Sequence, residues 1–174
     1  LFFIGAVILV TSDKHIRSAS SLAVSVMIKL SVLPLLPLYL IEYFKKNPPL
    51  KTVAASVGLT LLIATLLTLP ISKQPVSWLL QFLSNSAGGE LQRITSEAFN
   101  FWYSIFSYPQ SLKIIPQESA LIFGIPLSIL GYLLYLALLA PLAVRMVKEE
   151  KMTIERKFVL FALLALISFL FLPK

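Results

Sequence analysis

Residues 25–46 read SVMIKLSVLPLLPLYLIEYFKK. One lysine, Lys29, stands inside a long apolar run, and Pro34 and Pro37 follow within two turns. A proline inside a helix removes a hydrogen bond and clashes with the carbonyl four residues back. Pro34 also disfavours the α region at Leu33, so the spacing predicts a break near Leu33–Pro34. Two shapes satisfy this stretch. One is a hairpin of two half-helices that ends at Lys45–Lys46. The other is one long tilted helix, about 27 residues, kinked at proline.

The setting of that run is apolar throughout. Hydrophobic residues make up 57% of the 174-residue chain and charged residues 13%, with mean hydropathy +0.86. Soluble domains average about 45–50% apolar and about 25% charged. The composition predicts an all-α, polytopic membrane protein in the cell membrane. There is no cysteine and one histidine, His15, which excludes disulfides, thiol nucleophiles and His-rich metal sites. A net charge of +7 reads as cytoplasmic lysine and arginine, not as nucleic-acid binding.

Around segment B (residues 19–44) lie four other apolar blocks: A at the start, C at about 51–72, D at about 118–144 and E at about 157–172. Block A, LFFIGAVILVT, is too short for a span of about 20 residues. It reads as the tail of a helix, and the chain as the central to C-terminal part of a longer single membrane domain. No basic stretch precedes block A and no small-residue cleavage site follows, so it is not read as a signal peptide.

The short loops are basic: Lys14 and Arg17; Lys45, Lys46 and Lys51; then Arg145, Lys148, Lys151, Arg156 and Lys157. The long connection 73–117 has only Lys73, Arg93 and Lys113. Short basic loops face the cytoplasm, which makes 73–117 an external loop, and loops of that length are usually functional. Both ends of segment B then face the cytoplasm, which favours the re-entrant hairpin over the kinked span.

Three stretches could carry chemistry. Lys29 lies about ten residues, or about 15 Å, from Ser18. A lysine at depth costs about 2.5–3.5 kcal/mol before compensation, which points to a cation lining a phosphate-binding cavity; the alternative is snorkelling. LQRITSEAFNFWYSIFSYP, in the long loop, holds Arg93, Glu97, Asn100 and Trp102. Arg93 and Glu97 share a helix face, and an amide beside an indole suits a sugar. The bland alternative is an interfacial helix rich in Trp and Tyr. PVSWLLQFLSNSAGGEL reads as another short interfacial helix ended at Gly88–Gly89. The third stretch, FLFLPK, is an apolar helix stopping at Pro173 and Lys174. VKEEKMTIERK reads as a solvated turn, and Asp13 and His15 as loop residues. No soluble-enzyme motif occurs.

Taken together, SLAVSVMIKLSVLPLLPLYLI, SEAFNFWYSIFSYP, LIFGIPLSILGYLLY and FLFLPK, in that order, resemble motifs of the GT-C glycosyltransferases. The likeness is to prokaryotic mannosyltransferases related to the GPI mannosyltransferases and dolichyl-phosphate-glucose enzymes. The resemblance implies transfer of a hexose, most plainly mannose, from a polyprenyl-phosphate sugar to a lipid- or protein-linked acceptor on the non-cytoplasmic side. It implies donor or substrate contacts at Lys29, Arg93, Glu97, Asn100, Trp102 and Lys174. The family's acidic catalytic residue falls upstream of Leu1, and its His-Glu element after Lys174, so no catalytic residue is assigned within this chain and this portion alone is expected to be inactive. Membrane lipid is the other partner expected. No motif in the chain calls for a cofactor or metal. Two other functions fit the broken helix and buried charge: a transporter or flippase, and a non-catalytic membrane scaffold.

Overall fold

A computed structural model describes residues 1–88, 121–122, 124–149 and 152–172. Most of them are helical. The order is α1 (Phe2–Thr11), α2 (His15–Ile28), a 3-10 segment (Leu30–Leu35), α3 (Leu36–Lys45), α4 (Leu50–Thr68) and α5 (Pro75–Gly88). After the undescribed part of the long connection come β1 (Leu121–Ile122), β2 (Ile125–Pro126), α6 (Leu127–Lys148) and α7 (Ile154–Phe171).

α4 and the Ile129–Lys148 part of α6 are long and apolar enough to cross a membrane. Only 6% and 22% of these two stretches is buried inside the protein. The core helix of a soluble protein would be mostly covered, whereas Val57, Leu61, Leu62, Leu66 and Leu67 of α4 are exposed. Exposed apolar surface of this extent marks a membrane or protein contact. α7 is nearly as long, but its first turn carries Glu155, Arg156 and Lys157.

Two boundaries differ from the sequence reading. Segment D is not helical over its first described residues, 121–122 and 124–126. β1 and β2 pair antiparallel, Leu121 with Pro126 and Ile122 with Ile125, around Gly124 at φ 78°. A left-handed residue and a following proline stop the helix from forming earlier, so α6 starts after Pro126.

The second difference is the break in segment B. α2 stops at Ile28, and Lys29, not Leu33, is the extended residue, at φ −151° and ψ 109°. Pro34 explains the early stop. An α-helix continued through it would drive the proline ring against the carbonyl of Leu30. The chain instead adopts a 3-10 path from Leu30 to Leu35. Pro37 then sits in the first turn of α3, where its missing N–H removes nothing.

α1 packs antiparallel on α2 through small residues. Ser21 Oγ donates to the Phe2 carbonyl at 2.7 Å and Ser18 Oγ to the Ala6 carbonyl at 2.6 Å. A Cβ added at Gly5 would lie 3.4 Å from Ser21 Oγ, so the two backbones are close, as small residues allow in membrane helix pairs. The core joins Val7 and Val10 of α1, Leu38 and Tyr39 of α3, Met146 of α6, and Leu160 and Leu164 of α7.

Candidate functional site

Three contacts join the two flanks of segment B. Lys46 pairs with Asp13 at 3.2 Å. The Tyr43 ring meets His15 edge-on with centroids 5.0 Å apart. Tyr39 OH lies 2.7 Å from Ser18 Oγ, whose own proton goes to Ala6, so the tyrosine donates. The partners approach each other in sequence, 13 with 46, 15 with 43, 18 with 39. Each pair is centred close to residue 29. α2 and α3 therefore run antiparallel, and Lys29 is their apex.

Three tyrosines fasten the returning limb. Besides Tyr39, Tyr43 OH donates to Ser56 Oγ of α4 at 2.9 Å, and Tyr135 OH of α6 donates to the Pro34 carbonyl. That last bond matters because a broken helix frees carbonyls that water cannot reach in an apolar bundle. Lys45 Nζ donates to the carbonyls of Met146, at 2.9 Å, and Glu149. A cation thus satisfies the C-terminal carbonyls of α6, where the helix dipole is negative. Pairs 34 with 135 and 45 with 146 keep one register, so α3 and α6 run side by side in the same direction. Tyr135 stands about ten residues, or about 15 Å, from Arg145. The Pro34 carbonyl lies at about that distance from the basic end, and Lys29, 14 residues along from His15 at the start of α2, at about 21 Å.

The end opposite the apex is basic. Lys14, Arg17, Lys45, Lys46, Lys51, Arg145, Lys148, Arg156 and Lys157 all lie on the helix ends that meet there. Within it, Lys157 Nζ of α7 lies 2.5 Å from Glu42 Oε1 of α3, with side chains 12% and 2% exposed. The reading of VKEEKMTIERK as a solvated turn therefore fails at Lys157, which the Glu42 carboxylate draws inward. Arg145 and Arg156 do remain exposed, both on Glu149. An open cavity of about 640 Å³ is lined by Glu42, Lys45, Lys46 and Lys157 among others.

His15 is also placed differently from the sequence reading. It begins α2, is buried, and its Nδ1 has no hydrogen-bond partner among the described residues. The signal was available: His15, Ser18 and Leu22 recur at helical spacing, as do Tyr39, Glu42, Tyr43 and Lys46.

Of the residues assigned to substrate from sequence, Lys29 is described. It is exposed, and none of the ion pairs among the described residues includes it. Arg93, Glu97, Asn100, Trp102 and Lys174 lie outside the described residues. No family model, curated protein or solved structure matches the chain.

Proposed function

We propose that the chain is part of a multi-pass membrane glycosyltransferase of the GT-C kind, in which α2 and α3 form a re-entrant hairpin entering from the cytoplasmic side. The observation that carries this is the antiparallel pairing centred on Lys29. It supports a cation, in no ion pair among the described residues, carried into the bundle on a hairpin whose base is ringed by lysine and arginine. A distance of about 21 Å from the start of α2 lies well inside a hydrocarbon core about 30 Å thick. At that depth an unpaired ammonium calls for an anion, and a polyprenyl phosphate brings one on an apolar tail suited to the exposed faces of α4 and α6.

In this reading Lys29 holds the phosphate of the donor and stabilises it as leaving group when the acceptor hydroxyl attacks the sugar. The same reading assigns Asn100, Trp102, Glu97 and Arg93 of the connection 73–117, and Lys174, to contacts with the donor or substrate. A general base on the acceptor is supplied from outside this chain.

The test is hexose transfer from a polyprenyl-phosphate sugar by the full-length protein. Lys29→Ala is expected to lower kcat by about 10²–10³-fold, the usual loss for one preorganised electrostatic donor, and Lys29→Arg to retain most of it. Asn100→Ala is expected to lower transfer as well. Wild-type rates in Lys29→Ala and Asn100→Ala would defeat these roles. Substrate flux across proteoliposomes without any transfer would replace the enzyme by a transporter.

A further inference from the structure

Pro34 and Pro37 together leave an open acceptor in the turn that follows Lys29. Residues Leu30–Leu35 take a 3-10 path, in which each carbonyl accepts from the N–H three residues on. For the Pro34 carbonyl that residue is Pro37, which has no N–H to give. A donor reaches this carbonyl from another helix: the Tyr135 OH of α6. Tyr135 is buried in the core, so little water competes for the bond.

The turn held in this way is the one that carries Lys29. The Lys29 N–H donates to the Ser25 carbonyl at 3.0 Å, and the Lys29 carbonyl accepts from the Val32 N–H at 3.2 Å. Lys29 itself is extended, at φ −151° and ψ 109°, so it is the joint between a helix and a turn. Its side chain is exposed and belongs to none of the ion pairs among the described residues. A cation in no ion pair takes its direction from its backbone. One side of that backbone is fixed by α2. The other is a 3-10 turn, whose hydrogen-bond geometry is poorer than that of an α-helix. It packs on α2 and α7 and is tied to α6 by Tyr135.

We propose that Tyr135 is a positioning residue for Lys29. Through the Pro34 carbonyl it fixes the turn within the bundle, and with it the point at which the Lys29 ammonium meets an anion. The inference rests on the reading of Lys29 as the cation that holds the donor phosphate. It adds to that reading a side chain from a different helix, which touches neither sugar nor phosphate and acts only through the backbone of the turn.

A double-mutant cycle on hexose transfer by the full-length protein provides the test. Tyr135→Phe keeps the ring in the core and removes the donor. It is expected to lower kcat by about tenfold or more, because a small misplacement of a reacting partner is costly, and to leave KM for the acceptor nearly unchanged. In a Lys29→Ala background the same change is expected to cost less than about twofold, since its effect runs through Lys29. Tyr43→Phe removes a bond of the same kind, to Ser56 toward the basic end, and is expected to give one small factor in both backgrounds. Equal losses from Tyr135→Phe with and without Lys29, or equal losses from the two tyrosine changes, would overturn the proposal. A second readout needs no transfer. The chain has no cysteine, so the alkylation rate of Lys29→Cys by N-ethylmaleimide reports on the turn. It is expected to rise severalfold with Tyr135→Phe and to stay within about twofold with Tyr43→Phe. That result in a full-length protein without transfer activity would keep Tyr135 as the anchor of Lys29 and remove the glycosyltransferase reading. An unchanged rate with Tyr135→Phe would overturn the positioning role, whatever the transfer activity.

Discussion

Glu42 and Lys157 show how much one side chain can carry in a bundle of this kind. Both are nearly covered, and each is the other's only charged partner among the described residues. Removing one member of a buried pair leaves an uncompensated charge and typically costs about 3–5 kcal/mol, while an apolar replacement of both is often neutral or better. Glu42→Ala and Lys157→Ala are each expected to lower the unfolding midpoint in a denaturant titration in mixed micelles. The double variant Glu42→Met, Lys157→Met is expected to recover most of the loss. A double variant that is as unstable as the sum of the singles would show that the pair is not the source. Tyr135 makes a smaller contribution of the same type. Tyr135→Phe leaves the Pro34 carbonyl without a donor and is expected to cost about 1–3 kcal/mol by the same titration. An unchanged midpoint would mean that another donor reaches that carbonyl.

The break in segment B is decided at the level of elements. Proline at 34 forbids a continuous helix, and the 3-10 path with Lys29 extended is how the chain complies. The reversal after α3 is set by Asn47, at φ 47°, just past the helix end and before Pro48 and Pro49. A left-handed residue at this position costs a residue with a Cβ about 1–2 kcal/mol, least for Asn and nothing for Gly. Asn47→Ala is therefore expected to destabilise by roughly 1 kcal/mol, and Asn47→Gly to leave the unfolding midpoint unchanged or slightly raised. The break was legible from Pro34 and Pro37 because their effect is local. Its position was not, because the proline acts on the carbonyl four residues upstream, and the whole 3-10 stretch shifts the extended residue to Lys29. The start of α6 was misplaced for a similar reason: Gly124 and Pro126 outweigh the apolar composition around them.

Across the whole molecule, charge and hydropathy are arranged along one axis. Among the described residues, the ends of α2, α3, α4, α6 and α7 that carry lysine and arginine meet at one end, and Lys29 lies away from it. The three basic loops could be read from sequence because charge asymmetry needs no knowledge of packing. Glu42 could not, since its partner lies 115 residues on, and neither could the burial of His15, which depends on Tyr43 folding back. The central claim is that both ends of residues 15–45 lie on the cytoplasmic side. The chain contains no cysteine, so single cysteines report cleanly. Ser12 precedes the hairpin and Leu50, 83% exposed, follows it. With Ser12→Cys and Leu50→Cys introduced separately, a membrane-impermeant maleimide is expected to label neither in intact cells and both in inside-out vesicles. Labelling of one from each side would make segment B a single span and contradict the hairpin.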